Sequence, residues 1–238
     1  MKLAPWIIEK RVPNVVGSIG TASDLQRIHP IILGSCCDLA EIRLDLIAAE
    51  KGSITHADWS HLEKFPVLLT ARRGEEGGAP GLDAAARMDL LRPALEHASL
   101  IDIEVASIAE MTEILREIHD HSLPWIASFH DFEKLPSTAI LEENALKAKD
   151  AGAAAFKIAA MLTCPEELGR LGEFQLADHG IPVATMGMGV LAPVSRLMAA
   201  QCGSVLNYGF VGEKHTAPGQ WDSVLLKQVM ARLAHFPS

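Results

Sequence analysis

Residues 100–159 read LIDIEVASIAEMTEILREIHDHSLPWIASFHDFEKLPSTAILEENALKAKDAGAAAFKIA. Three short apolar runs, at 100–105, 125–130 and 154–159, are separated by two stretches, 108–121 and 139–151, in which apolar residues return at helical spacing with charges opposite. The runs have the length and composition of buried strands, and the intervening stretches have the period of amphipathic helices. Ser107 and Ser137 stand where N-caps belong, and Gly152 stands where a helix stops. Strand, helix, strand, helix, strand is the pattern of parallel pairing through right-handed crossovers.

The alternation continues outward in both directions. Strands are expected at 15–20, 39–46, 67–72, 183–188 and 205–210, with a further helix at 84–97, which brings the strands to eight. Eight strands joined by eight connections close more economically into a barrel than they spread into an open sheet. The expected fold is therefore α/β, a single (β/α)8 TIM barrel forming one catalytic domain over residues 1–238, with residues 1–13 covering one end.

Bulk properties narrow the function. With 238 residues, 49% hydrophobic and 21% charged, the chain has material for a sizeable core and lacks the polar excess of a disordered one. A net charge of -9 without a basic stripe argues against nucleic acid or an anionic membrane as partner. Without an apolar run of spanning length or a basic-then-apolar amino terminus, a cytoplasmic enzyme is expected. Cys36, Cys37, Cys164 and Cys202 form no C-x-x-C pair, so they read as reduced thiols rather than a metal site or a disulfide framework.

Barrel enzymes carry their chemistry at the carboxyl ends of the strands. There Lys157 interrupts a run that otherwise reads as a buried strand. Desolvation disfavours an ammonium and leaves a free amine to attack a carbonyl, against the plainer reading of a lysine reaching solvent along its stem. His130 closes the preceding strand, within reach of the same ligand, and imidazole is suited to taking and returning a proton near neutral pH. Glu41, Arg43 and Asp45 alternate with apolar residues and are expected on the inner face of one strand, Asp45 as part of a structural ion-pair layer. Arg72, Asp102 and Glu104 recur at the ends of the next two strands. The loop at 72–81 carries glycines beside glutamates that would repel phosphate, so the glycines are read as shaping a loop that turns a carboxylate inward. Arg196 at a helix start suits a carboxylate, Met186 and Met188 read as core, and the turn-rich segment at 216–220 is placed to close over a ligand.

In their order and spacing, EIRLD at 41–45, TARRGEEGG at 70–78, IDIE at 101–104, SFHDF at 128–132, FKIA at 156–159, TMGM at 185–188, VSR at 194–196 and APGQ at 217–220 resemble the type I 3-dehydroquinate dehydratases, a likeness running from about residue 15 to 220. The resemblance implies that Lys157 forms a Schiff base with 3-dehydroquinate in the shikimate pathway, that His130 is general base and acid, and that Glu76 positions the histidine. It also implies that Arg196 and Gln220 hold the substrate carboxylate and a neighbouring hydroxyl, that Glu41, Arg43 and Arg72 face the ring hydroxyls, and that Met186, Met188 and Tyr208 line the pocket. It implies no cofactor, a small-molecule substrate as the ligand, and a homodimer. Thr216, expected to bind substrate, stands where the family commonly has serine, Tyr208 where it often has phenylalanine, and Ala192 with Pro193 where it has a glycine-containing stretch. Many Schiff-base aldolases bind a phosphorylated substrate through glycine-rich loops where this chain has Arg196 and APGQ, which favours a carboxylate, and a non-catalytic metabolite-binding barrel would have no need of Lys157, His130 and Glu76 together.

Overall fold

The computed structural model describes Ile8 and residues 13–233. Eight parallel strands, β1 (Asn14–Ile19), β2 (Leu39–Arg43), β3 (Val67–Thr70), β4 (Leu100–Glu104), β5 (Trp125–Asp131), β6 (Ala155–Met161), β7 (Val183–Met188) and β8 (Leu206–Phe210), pair each with its sequence neighbour, and β1 also pairs with β8. Val205 N donates to Val183 O at 3.2 Å and closes the ring between β8 and β7, so the fold is a (β/α)8 barrel.

Helices follow the strands: α1 (Ala22–Arg27) and α2 (Pro30–Cys36) after β1, then α3 (Leu44–Lys51), α4 (Ala84–Leu91), α5 (Thr112–Asp120), α6 (Thr138–Asp150), α7 (Pro165–Leu176), α8 (Ala192–Gln201) and α9 (Ser223–Leu233) after β2 to β8 in turn. Among the described residues no helix is long and apolar enough to cross a membrane.

Because successive strand side chains alternate in direction, each strand has one face toward the helices and one toward the barrel axis. The helix side is mainly apolar and includes Ile19, Ile42, Leu69, Ile103, Phe156 and Ile158, with Thr185 and Asn207 as buried polar exceptions. The axial side changes character along its length. At the amino ends of the strands Val16, Leu39, Leu68, Leu100, Ile126 and Leu206 form an apolar plug. One step further along the strands the axis is filled by Ser18, Glu41, Thr70, Asp102, Ser128 and Lys157, all buried. The plug shuts one end of the barrel, and the polar layer makes the floor of a site that opens at the other. Ile8 packs against the plug, whereas the rest of the cover expected at 1–13, Pro13 excepted, lies outside the described residues.

Three local expectations are corrected. The strand expected at 39–46 ends at Arg43, where the helix-forming segment LDLIAAEK takes over as α3, with Asp45 in its first turn beside the positive end of the helix. Asp45 therefore comes to Arg43 from a helix, not from the same strand face. The helix expected at 84–97 is α-helical only to Leu91 and continues as a 3-10 turn from Arg92 to His97, because Pro93 removes a hydrogen-bond donor. Ser107 caps nothing: it lies in a short 3-10 turn, α5 begins at Thr112, and the Ser107 hydroxyl instead accepts from Arg87 Nη1 at 2.9 Å. Ser137 does occupy the N-cap position of α6, without a side-chain cap bond, and Gly152 adopts the left-handed conformation (φ 82°) expected after its end.

Candidate active site

The strand register sets Lys157 on β6 beside Ser128 on β5, with His130 one inward position further along β5 beside Ala159. The two functional side chains therefore face the same axial space, at a Cα separation of about 8 Å given the ordinary rise and spacing of strands. A single pocket, with about 490 Å³ of empty space including its mouth, is lined by all twelve expected site residues: Glu41, Arg43, Arg72, Glu76, His130, Lys157, Met186, Met188, Arg196, Tyr208, Thr216 and Gln220.

Lys157 is 4% exposed, and its Nζ donates to Asp102 Oδ2 at 3.0 Å. Its Nζ also lies 4.2 Å from the centre of the Tyr208 ring. Burial lowers the amine's pKa, Asp102 opposes that, and Arg72 adds to it; the net direction is down. The sequence suggested an amine in apolar surroundings, and this is corrected: the walls around Nζ are a carboxylate and an aromatic ring. Burial also works against the Asp102 carboxylate, yet Arg72 and Lys157 hold it well below the usual range.

Asp102 is anchored from the other side by Arg72, which meets both its oxygens at 2.8 and 2.9 Å and also reaches Glu104 at 3.0 Å. Ser128 donates to Asp102 Oδ1 at 2.5 Å. Glu104 in turn pairs with the buried Arg87 of α4. A buried carboxylate is tolerated only when paired and hydrogen-bonded, and this network meets that condition around the lysine.

His130 is fixed by Glu76. The same Oε2 accepts from the His130 backbone N–H at 2.9 Å and lies 2.9 Å from Nδ1. A carboxylate there makes Nδ1 the protonated nitrogen and leaves the Nε2 lone pair for a ligand. Burial pushes the Glu76 carboxyl up to about 7. Burial, with Arg72 and Lys157 adding to it, holds the His130 imidazole well below its ordinary value. The imidazole therefore rests uncharged. The TARRGEEGG loop places the carboxylate by a 3-10 turn from Gly74 to Glu76 followed by Gly77 in the left-handed region (φ 83°). At Gly78 a Cβ would lie 2.0 Å from Arg72 O, so only glycine lets the loop fold back over β3.

Arg43 is held by Asp45 at 2.9 and 2.7 Å and donates to Gly77 O at 2.9 Å, which ties the loop to β2. Asp45 accepts from Ala79 N as well, at 3.1 Å, so it is the structural ion pair expected of it. Glu41 accepts from Ser18 and, at 2.9 Å, from Thr70.

Arg196, 1% exposed in the first turns of α8, donates from Nη1 to Tyr208 O at 2.9 Å. Among the described residues no carboxylate pairs with it and its Nε has no partner. Burial alone draws this guanidinium down to about 10. A buried cation without a counter-charge is costly, and this one lines the pocket. Ala192 and Pro193 open α8, where proline at the first turn forfeits no hydrogen bond. In the same pocket Thr216 and Gln220 hold one another, with Gln220 Oε1 accepting from both the backbone N–H and the hydroxyl of Thr216 at 2.9 Å.

In the sequence Asp102 and Glu104 stand out as charges at strand ends without a role, and nothing marks Ser18, Ser128 or Arg87 for the site. The alternation in IDIE was the available signal for the first two; Arg87 lay in a stretch read as an ordinary amphipathic helix.

The family model for type I 3-dehydroquinase matches residues 18–236. A 3-dehydroquinate dehydratase of Methanothermobacter thermautotrophicus is 31% identical over 233 residues, which cover 98% of this chain and 97% of that one. The crystal structure of a 3-dehydroquinate dehydratase from Geobacillus kaustophilus superposes with a TM-score of 0.84 at 25% identity, covering 95% of this chain and 93% of that one. The type I 3-dehydroquinate dehydratase of Clostridium difficile, determined with covalently modified comenic acid, superposes with a TM-score of 0.78 at 25% identity over the same shares of 95% and 93%.

Proposed function

The chain belongs to the type I 3-dehydroquinase family, and on that premise we propose that this hydro-lyase converts 3-dehydroquinate to 3-dehydroshikimate through an imine on Lys157, with His130 carrying the proton. The observation that carries the mechanism is a buried amine with lowered pKa sharing one pocket with an uncharged imidazole whose Nδ1 is tied to a carboxylate.

The neutral Lys157 amine adds to the substrate ketone, a carbon–nitrogen bond forms, and the ketone oxygen leaves as water, carrying one amine proton and one proton from solvent that the final hydrolysis returns, to give an iminium. His130 Nε2 then takes a proton from the carbon beside the iminium carbon, whose electron pair drains into the carbon–nitrogen bond and forms an enamine. The enamine expels the β-hydroxyl, which leaves as water with the proton returned by the imidazolium. A water molecule hydrolyses the product iminium and frees Lys157, so the sum is substrate to product plus one water. Asp102, 3.0 Å from Nζ, faces the positive charge of the iminium, and Glu76 faces that of the imidazolium. Among the described residues of the pocket, which include Thr216 and Gln220, Arg196 is the cation without a counter-charge, and it takes the substrate carboxylate. Glu41, Arg43 and Arg72 turn toward the ring hydroxyls, and Met186, Met188 and the Tyr208 ring close the apolar side. The reading extends to a cytoplasmic homodimer serving the shikimate pathway, for which light scattering of the purified protein tests the assembly.

Borohydride reduction in the presence of 3-dehydroquinate, followed by peptide mass spectrometry, is expected to place the adduct on Lys157; an adduct elsewhere, or none, overturns the mechanism. His130→Ala is expected to form the same adduct while turning over orders of magnitude more slowly, and near-normal turnover would remove His130 from its role.

A further inference from the structure

Tyr208 is the chain's single tyrosine, and its hydroxyl is buried with no hydrogen-bond partner among the described residues. A phenol deep in a protein ordinarily finds a partner, because an unmet buried donor costs free energy that phenylalanine would not. This one lies in the wall of the substrate pocket, and its residue is 3% exposed. The backbone is held by Arg196 at its carbonyl and by register with Val16 on β1, and the ring lies against Lys157 Nζ at 4.2 Å. The two carboxylates whose charge it feels, Glu41 and Asp102, are engaged elsewhere, Glu41 by Ser18 and Thr70, and Asp102 by Arg72, Ser128 and Lys157.

We infer that the Tyr208 hydroxyl is a substrate-contacting group, which donates a hydrogen bond to an oxygen of the bound substrate next to the carbon that becomes the imine. The inference rests on the reaction proposed above and adds to it a polar contact where only an apolar wall was expected. Burial, with Glu41 and Asp102 adding to it, holds the phenol well above its ordinary pKa, so it remains a donor through the working range and takes no part as an acid or base. Its contribution is uniform binding, made to substrate and to the covalent intermediates alike.

Tyr208→Phe removes one oxygen and nothing else, so the variant is expected to fold with an unchanged or higher melting temperature. Its KM for 3-dehydroquinate is expected to rise roughly five- to tenfold with kcat within about twofold of the parent, the signature of a lost uniform contact. The single tyrosine also allows a direct reading: protein labelled with carbon-13 at the tyrosine ζ position gives one resonance, which is expected to move when substrate is trapped by borohydride. A variant KM within twofold of the parent, a still resonance, or a melting temperature several degrees lower in the free variant would each overturn the assignment. Trapping on Lys157 in the parent protein is measured alongside: its failure refutes the imine itself, whereas its success with an unaltered variant refutes the role of the hydroxyl alone.

Discussion

Glutamine at position 76 keeps the shape that His130 meets through its backbone N–H and its Nδ1, and removes only the charge. Burial pushes the Glu76 carboxyl from its ordinary 4.5 to about 7. At about 1.36 kcal/mol for each pH unit, that gap corresponds to about 3 kcal/mol. The folded protein keeps a proton that the unfolded chain gives up between pH 4.5 and about 7, so the parent loses stability as the pH rises through that window and regains it as the pH falls. Glu76→Gln has no such loss. Its stability relative to the parent is expected to be near zero below pH 4.5 and to grow to about 3 kcal/mol in favour of the variant by pH 8. Activity should move the opposite way. A charge-assisted bond to the imidazolium exceeds a neutral one by about 1 to 2 kcal/mol, so kcat is expected to fall roughly five- to thirtyfold. Urea unfolding at several pH values, paired with steady-state kinetics, measures both. If the stability difference does not widen with pH, or if kcat stays within twofold, the account of Glu76 as a strained, anionic partner of His130 is refuted.

Arg196→Met removes a buried cation that burial has drawn down to about 10, so the free variant is expected to melt at or above the parent temperature while its KM rises a hundredfold or more; a lower melting point with unchanged KM would make Arg196 structural. Asp45→Asn leaves the buried Arg43 without its partner and is expected to cost about 3 to 5 kcal/mol in urea unfolding, with the Lys157 adduct still forming. A loss below about 1 kcal/mol would show that Arg43 finds an equivalent partner among its neighbours.

What the sequence disclosed follows from which interactions are local. Strands buried on both faces read largely as apolar runs, β2 and β4 as charges alternating with apolar residues, and a lysine inside an apolar run, at 157, stands out because its burial needs a reason. Asp45 was misplaced because the alternation through EIRLDL is compatible with a strand carried on or with a helix whose first turn is buried, and only packing against Ala79 and Arg43 decides between them. The cap expected of Ser107 failed for a similar reason: a buried arginine seventy ångströms of chain away in extended length, at residue 87, claims its hydroxyl. Asp102 was seen as an inward charge but not as the partner of Lys157, since the two sit on strands separated by β5 and meet only across the barrel interior.

That pairing bears on why the site holds an amine at all. Burial penalises the compact, strongly hydrated ammonium, yet the Asp102 carboxylate, kept ionised by Arg72, favours a positive charge at the same nitrogen. A neutral amine satisfies the first influence and leaves the second unmet. In the proposed reaction an iminium answers both, because its charge is shared with carbon and needs less hydration while it still faces the carboxylate 3.0 Å from the nitrogen. In that proposed reaction the arrangement would stabilise the covalent intermediate relative to either protonation state of the free lysine. An amine in a purely apolar barrel would be nucleophilic enough to add to the ketone but would have nothing to hold the charge that follows, and Asp102 supplies that hold from a position the sequence showed without explaining.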